Sequence, residues 1–233
     1  GRPSSAPSVS AKRRRPARKT ILVFLGDLID RGPDSRGVIE RLRTYRPEGI
    51  RTYFLVGNHE EVLLRLLRRE RGILSSWLKF GGAECLASYG LDPALLEQGN
   101  EGSALAAIKQ VIPEEHARFI EGFADTLSFG DYLFVHAGIR PGVELPLQTQ
   151  ADLRWIRSPF LEDESDHGKV VVHGHTICEA VEWQPNRIGI DTGAYRSGVL
   201  TALALQGEDR WILDTTEESG TESAQVDFGL VGS

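Results

Sequence analysis

Three features of this chain predict an α/β fold: an opening β-loop-α-β order, a helix-rich middle, and short apolar strands in the second half that run into polar loops. Thr20-Ile21-Leu22-Val23-Phe24-Leu25 is rich in β-branched and aromatic residues and reads as a buried strand. It leads into Gly26-Asp27-Leu28-Ile29-Asp30-Arg31-Gly32, which places two carboxylates and an arginine at the strand's carboxyl end, where open α/β sheets keep their chemistry. That loop offers hard oxygen ligands beside a cationic fork of phosphate size. The plainer alternative is a strand-to-helix turn with a capping aspartate.

The next elements follow from spacing. Asp34 is a suitable N-cap for a helix over Ser35 to Tyr45, with Val38, Ile39 and Leu42 on one face. Arg51 to Val56 reads as a second strand, and the β-loop-α-β order predicts a parallel pair with a right-handed crossover. This strand ends in Gly57-Asn58-His59-Glu60, followed by an amphipathic helix over Glu61 to Arg69, so the two polar loops should face each other. Trp77 to Tyr89 and the alanine- and leucine-rich stretch to Ala124 read as covering helices, with Pro113-Glu114-Glu115 a helix start. His116, among charged residues there, is expected to be exposed. Thr126 to Phe129 and Tyr132 to Val135 flank Gly130-Asp131 as a hairpin. Lys169 to Val172 is a short buried strand, and further strands are expected near Arg187 to Ile190, Val199 to Leu205 and Trp211 to Leu213.

Bulk properties narrow the function. At 233 residues and 40% hydrophobic content the chain can bury one substantial core. Its apolar runs stay far below the ~20 residues a membrane helix needs. Cys85 and Cys178 form neither a disulfide framework nor a ligand spacing, which favours a reducing, cytoplasmic setting. Residues 1–19 read as a flexible basic segment, residues 20–214 as one domain, and residues 215–233 as a polar tail. The basic segment lacks the apolar stretch of a secretory signal. The remaining chain is acidic and the whole carries a net charge of −6, which argues against a general nucleic-acid binder. There is no methionine and the chain begins at Gly1, so its natural start of translation is expected upstream.

Four apolar strands thus end in loops carrying Asp27 and Asp30, then Asn58 and His59, then His136, then His173 and His175. A single histidine in such a place is usually a structural hydrogen-bonder. Four coincidences favour a metal site, and mixed carboxylate, amide and imidazole donors suit manganese, iron or zinc and not calcium. His173 is read as structural, and His167 as a turn residue.

These motifs resemble a known family. Gly-Asp-x-x-Asp-Arg-Gly at 26–32, Gly-Asn-His-Glu at 57–60, His-Ala-Gly at 136–138 and Gly-His-Thr at 174–176 are similar to those of metallophosphoesterases of the phosphoprotein phosphatase type, above all the bacterial and bacteriophage lambda enzymes. Trp77 with Gly81-Gly82, Trp155-Ile156-Arg157 and Ile190-Asp191-Thr192-Gly193-Ala194 extend the likeness. The resemblance implies a calcineurin-like β-sandwich of mixed sheets flanked by helices over residues 20–214. It also implies two divalent metal ions, manganese foremost, with iron or zinc as alternatives. Asp27 would bridge both, and Asn58, His136 and His175 would complete the second. A hydroxide held between them would attack phosphorus in line. His59 would protonate the leaving group, oriented by Asp30, while Arg31, Arg157 and Asn58 would bind the phosphoryl group.

On this resemblance the expected activity is serine/threonine or dual-specificity protein phosphatase, acting on a phosphorylated protein or a small phosphoester, with no membrane partner. The alternatives are a symmetrical dinucleoside tetraphosphate hydrolase and a non-catalytic binding module. Two departures bear on the choice. The family's first metal takes an Asp and a His from a Gly-Asp-x-His-Gly loop on an earlier strand, and the chain holds no such loop; Gly1-Arg2 is compatible with its stub. With only Asp27 for that metal, weak or absent turnover is expected. Relatives also carry a basic residue where this chain has Val56, which weakens the case for a protein substrate.

Overall fold

The computed structural model describes residues 19–96 and 99–216; the expected basic segment, Lys19 apart, and nearly all of the polar tail lie outside them. Strand β1 (Thr20–Phe24) is followed by helix α1 (Ser35–Thr44) and strand β2 (Ile50–Phe54). The two strands pair in parallel with Thr20 opposite Ile50, as the crossover rule requires. Asp34 caps α1 by accepting the Gly37 N–H at 2.9 Å. The stacked rings of Phe24 and Phe54, 5.0 Å apart, join the strands on one face.

Helix α2 spans Asn58–Leu67, three residues earlier than its periodicity suggests, so Asn58 and His59 belong to its first turn. The cause is Glu60, whose buried carboxylate accepts the Gly57 N–H at 2.8 Å and starts the helix there. Beyond it, α3 (Leu74–Trp77), an irregular wide turn (Leu78–Gly82) and α4 (Ala83–Ser88) replace the single helix expected from Trp77 to Tyr89. The break falls at Phe80 and Gly81, the latter at φ +112, where only glycine is comfortable. Helices α5 (Glu101–Val111) and α6 (Glu114–Glu121) complete this layer. Ile39, Leu63, Leu66, Leu86, Leu105, Ile108 and Ile120 form its core, each worth about 1.5–3 kcal/mol of burial.

His116 departs from expectation. It is buried, with one ring nitrogen 2.9 Å from the Tyr89 hydroxyl and the other 2.9 Å from Glu40. The charged neighbours in sequence lie on the outer face of α6, while its 3.6-residue period turns His116 inward with Ile120.

The second half forms a five-stranded mixed sheet. Strands β3 (Thr126–Phe129) and β4 (Tyr132–Val135) make the expected hairpin, with Gly130 at φ +54. After helix α7 (Gln150–Trp155), strand β5 (Val170–His173) pairs parallel with β4. Strands β6 (Glu182–Trp183) and β7 (Arg187–Gly189) extend the sheet in the order β3-β4-β5-β7-β6. A short helix α8 (Ala194–Ser197) then leads to a separate hairpin of β8 (Thr201–Gln206) and β9 (Asp209–Asp214). Leu133, Val135, Phe160 and Val171 fill the second core. The β1-β2 pair meets the five-stranded sheet where the Tyr53 ring lies 5.8 Å from that of Phe129. Among the described residues no helix is long and apolar enough to cross a membrane.

Candidate metal centre and catalytic site

The ends of β1, β2, β4 and β5 converge, and close backbone approach makes this possible. A Cβ on Gly26, which sits at φ +92, would lie 2.6 Å from the Gly57 nitrogen and 2.9 Å from His136 Nδ1. Four of the five described non-glycine residues with positive φ belong to the expected site: Asp27, Asp30, Arg31 and His175. Each such conformation costs on the order of 1–3 kcal/mol and persists only when its surroundings hold it.

Glu60 supplies much of that hold. Its wholly buried carboxylate accepts the backbone N–H groups of Asp27 at 2.9 Å, Leu28 at 2.7 Å and Gly57 at 2.8 Å. Burial, followed by the nearby charge of Asp27, pushes its pKa upward. In sequence this role is signalled only by an acid three residues after Gly57, the spacing of a capping box.

Asp27, His136 and His175 each offer one donor atom, all within 4.8 Å of one another. Asn58 lies among them, its Oδ1 3.0 Å from His136 Nε2 and 2.9 Å from His175 Nδ1. The Leu25 carbonyl, 2.6 Å from His136 Nδ1, can only accept, so Nδ1 carries the proton and Nε2 a lone pair. That lone pair faces two acceptors, Asn58 Oδ1 and Asp27 Oδ1, the latter at 3.3 Å. Asp27 Oδ1 and His175 Nε2 are buried without a hydrogen-bond partner. Lone pairs aimed at one another in a buried pocket are reconciled by a cation, and the donor set fits a borderline divalent metal. The electrostatics agree. Burial, then the proximity of His136 and Arg157, pushes His175 down to about 3, which keeps it a neutral ligand. Burial opposes the charge on Asp27, yet its imidazole surroundings outweigh that and hold the carboxyl below its usual range.

Beside this cluster, His59 Nδ1 donates to Asp30 Oδ2 at 2.6 Å, and the indole N–H of Trp77 donates to the same oxygen at 2.8 Å. All three residues are buried. Burial works against a charged His59, but the hydrogen bond to Asp30 and the charge of Asp27 prevail and raise its pKa. Arg31 is anchored by Nε to the Phe80 carbonyl at 3.3 Å, and its guanidinium lies 4.9 Å from the centre of the Tyr195 ring. Arg157 stands on the exposed turn after α7, close enough for its charge to act on His175. His173 lies inside β5, its Nδ1 donating to the Gly174 carbonyl at 3.2 Å and its ring edge-on to Phe160, outside the donor cluster. Nothing local in sequence ties Trp77 to Asp30 or Tyr195 to Arg31, so only the structure brings them to the site.

Strand-end loops that gather carboxylate, amide and imidazole donors beside arginine define a metal-assisted phosphoester hydrolase. The profile of the calcineurin-like phosphoesterases matches residues 9–199, and the chain belongs to that family. Among curated relatives, the asymmetrical bis(5'-nucleosyl)-tetraphosphatase PrpE of Anoxybacillus flavithermus is 27% identical over 201 residues, covering 78% of this chain and 74% of its own. The enzyme of the same name from Bacillus mycoides is 28% identical over 219 residues, covering 86% and 78%. A crystal structure described as a proposed diadenosine tetraphosphatase shares the fold with a TM-score of 0.56 at 21% identity, covering 83% of this chain and 80% of that one. The family implies divalent metal ions, and the residues above fit them.

Proposed function

We propose that this metallophosphoesterase hydrolyses dinucleoside polyphosphates, cleaving one bond of the phosphate chain. The observation that carries the hydrolase is the convergence of Asp27, Asn58, His136 and His175 beside the His59–Asp30 pair. The names of the relatives support the substrate class. So does the aromatic rim: Tyr195 and Phe80, both exposed, adjoin Arg31, where a nucleoside would emerge from a bound phosphate chain. This reading takes the place of the protein phosphatase expected from the motifs. It also differs from the symmetrical hydrolase considered there, because the relatives carry the asymmetrical designation.

A divalent cation held by Asp27, Asn58, His136 and His175 would supply Lewis acidity and a nucleophile at neutral pH. The chain's own residues do the remainder. Arg31, and Arg157 at the rim, grip phosphoryl oxygens. His59, kept protonated by Asp30, gives its Nε2 proton to the departing oxygen.

Turnover of diadenosine tetraphosphate, phosphoseryl peptide and phosphotyrosyl peptide, measured side by side with manganese, tests the proposal. Diadenosine tetraphosphate is expected to be preferred and to yield ATP and AMP. Two ADP would indicate symmetrical cleavage, and preferential dephosphorylation of peptides would overturn the reading.

A further inference from the structure

We infer that the segment from Trp77 to Gly82 is a positioning element for the His59–Asp30 pair, with Arg31 anchored to the same segment. The inference rests on the reading of His59 as proton donor. The buried indole of Trp77 and the imidazole of His59 donate to one oxygen, Asp30 Oδ2, at 2.8 and 2.6 Å. A carboxylate oxygen with two fixed donors cannot swing, so the imidazole it orients keeps a single direction. The indole is fixed in its turn. A Cβ on Gly82 would lie 2.3 Å from Trp77 Cδ2, so glycine there lets the ring seat against the backbone.

The break between α3 and α4 acquires a purpose from this arrangement. In an unbroken helix the carbonyls of residues 80 and 81 would be taken up by N–H groups four residues on. Here Phe80 and Gly81 leave helical geometry, and both carbonyls turn to Arg31, accepting its Nε at 3.3 Å and its backbone N–H at 3.0 Å. Asp30 and Arg31, at φ 73 and 61, sit in the left-handed region, where contacts from outside their own loop are needed to hold them. One segment, 47 residues away from Asp30 in sequence at Trp77, supplies contacts to both, alongside Ser35 Oγ, which accepts the Asp30 N–H at 3.0 Å.

Trp77→Phe keeps the ring's bulk and removes its donor. Phenyl phosphate has a poorer leaving group than p-nitrophenyl phosphate and leans more on a proton donor, so the variant should lose about tenfold more turnover on phenyl phosphate. Taking the ratio within one preparation cancels any unfolded fraction. His59→Ala is the reference. A flat ratio in both variants overturns the proton-donor reading and the inference with it. A flat ratio in Trp77→Phe alone overturns the inference only. A second readout needs no turnover. In protein labelled with 15N-histidine, the His59 Nδ1–H should exchange with solvent about tenfold faster in Trp77→Phe than in the wild type, and equal exchange would overturn the positioning role.

Discussion

The Glu60 carboxylate reaches back 33 residues to accept the Asp27 N–H at 2.9 Å, while the Asp27 carboxylate joins the donor cluster with His136 and His175. A buried acid therefore holds a half-buried one in a left-handed backbone conformation at the end of β1.

Glu60→Gln should be costly despite its equal size. The amide retains one accepting oxygen but turns an N–H toward a backbone N–H, leaving buried donors unpaired at about 1–3 kcal/mol. Urea unfolding would register that loss, together with weaker manganese binding by calorimetry. Wild-type stability in this variant would show that the carboxylate is not the clamp described.

His136→Ala removes the nitrogen whose lone pair faces Asp27 and Asn58. Manganese affinity should fall by about 100-fold or more, since loss of even a residue that only supports a ligand costs 10–100-fold. His173→Ala, outside the donor cluster, should alter affinity far less. Equal effects would argue against the assigned ligand set.

Gly26→Ala tests how tightly the loops approach. Its methyl would lie 2.6 Å from the Gly57 nitrogen in a backbone conformation that alanine resists. The variant should unfold at lower urea than wild type and lose metal binding. A crystal structure showing both loops unmoved would contradict the packing argument.

Acid should weaken the fold partly through Asp152. Its bond to Arg140, aided by Thr149, outweighs burial and holds the carboxyl below its usual 3.8. A carboxylate depressed on folding contributes its stability in full above the unfolded value and loses it as pH falls through the folded one. Asp152→Asn should thus melt below wild type at pH 7, with the gap narrowing below about pH 3.8. A gap of constant size down to pH 2.5 would show the ion pair to be without effect. The bond matters to the site because Leu153 in α7 accepts the Ala137 N–H, one residue beyond His136.

The convergence of Asp27, Asn58, His136 and His175 was legible because these residues follow strands whose composition announces them: β-branched residues before Asp27, and Val170-Val171-Val172 ahead of the loop carrying His175. The parallel pairing of β1 and β2 was legible from the β-loop-α-β order. What escaped was pairing at long range. His116 meets Glu40 across 76 residues, and Arg31 meets Tyr195 across most of the chain. Neither contact leaves a periodic trace, because each depends on which distant elements the fold brings face to face. The start of α2 was misplaced for a different reason, a side chain capping the backbone from inside the motif.

Asp27 and Asn58 hang from the two-stranded sheet, whereas His136 and His175 hang from the five-stranded one. A cation gripped by all four would rivet the halves of the molecule together, so its loss would be felt as loosening well beyond the chemistry. Free metal at 100 times its dissociation constant adds about 2.7 kcal/mol to such a protein. Dialysis against a chelator should accordingly lower the melting temperature, with protease cuts appearing first between the two sheets.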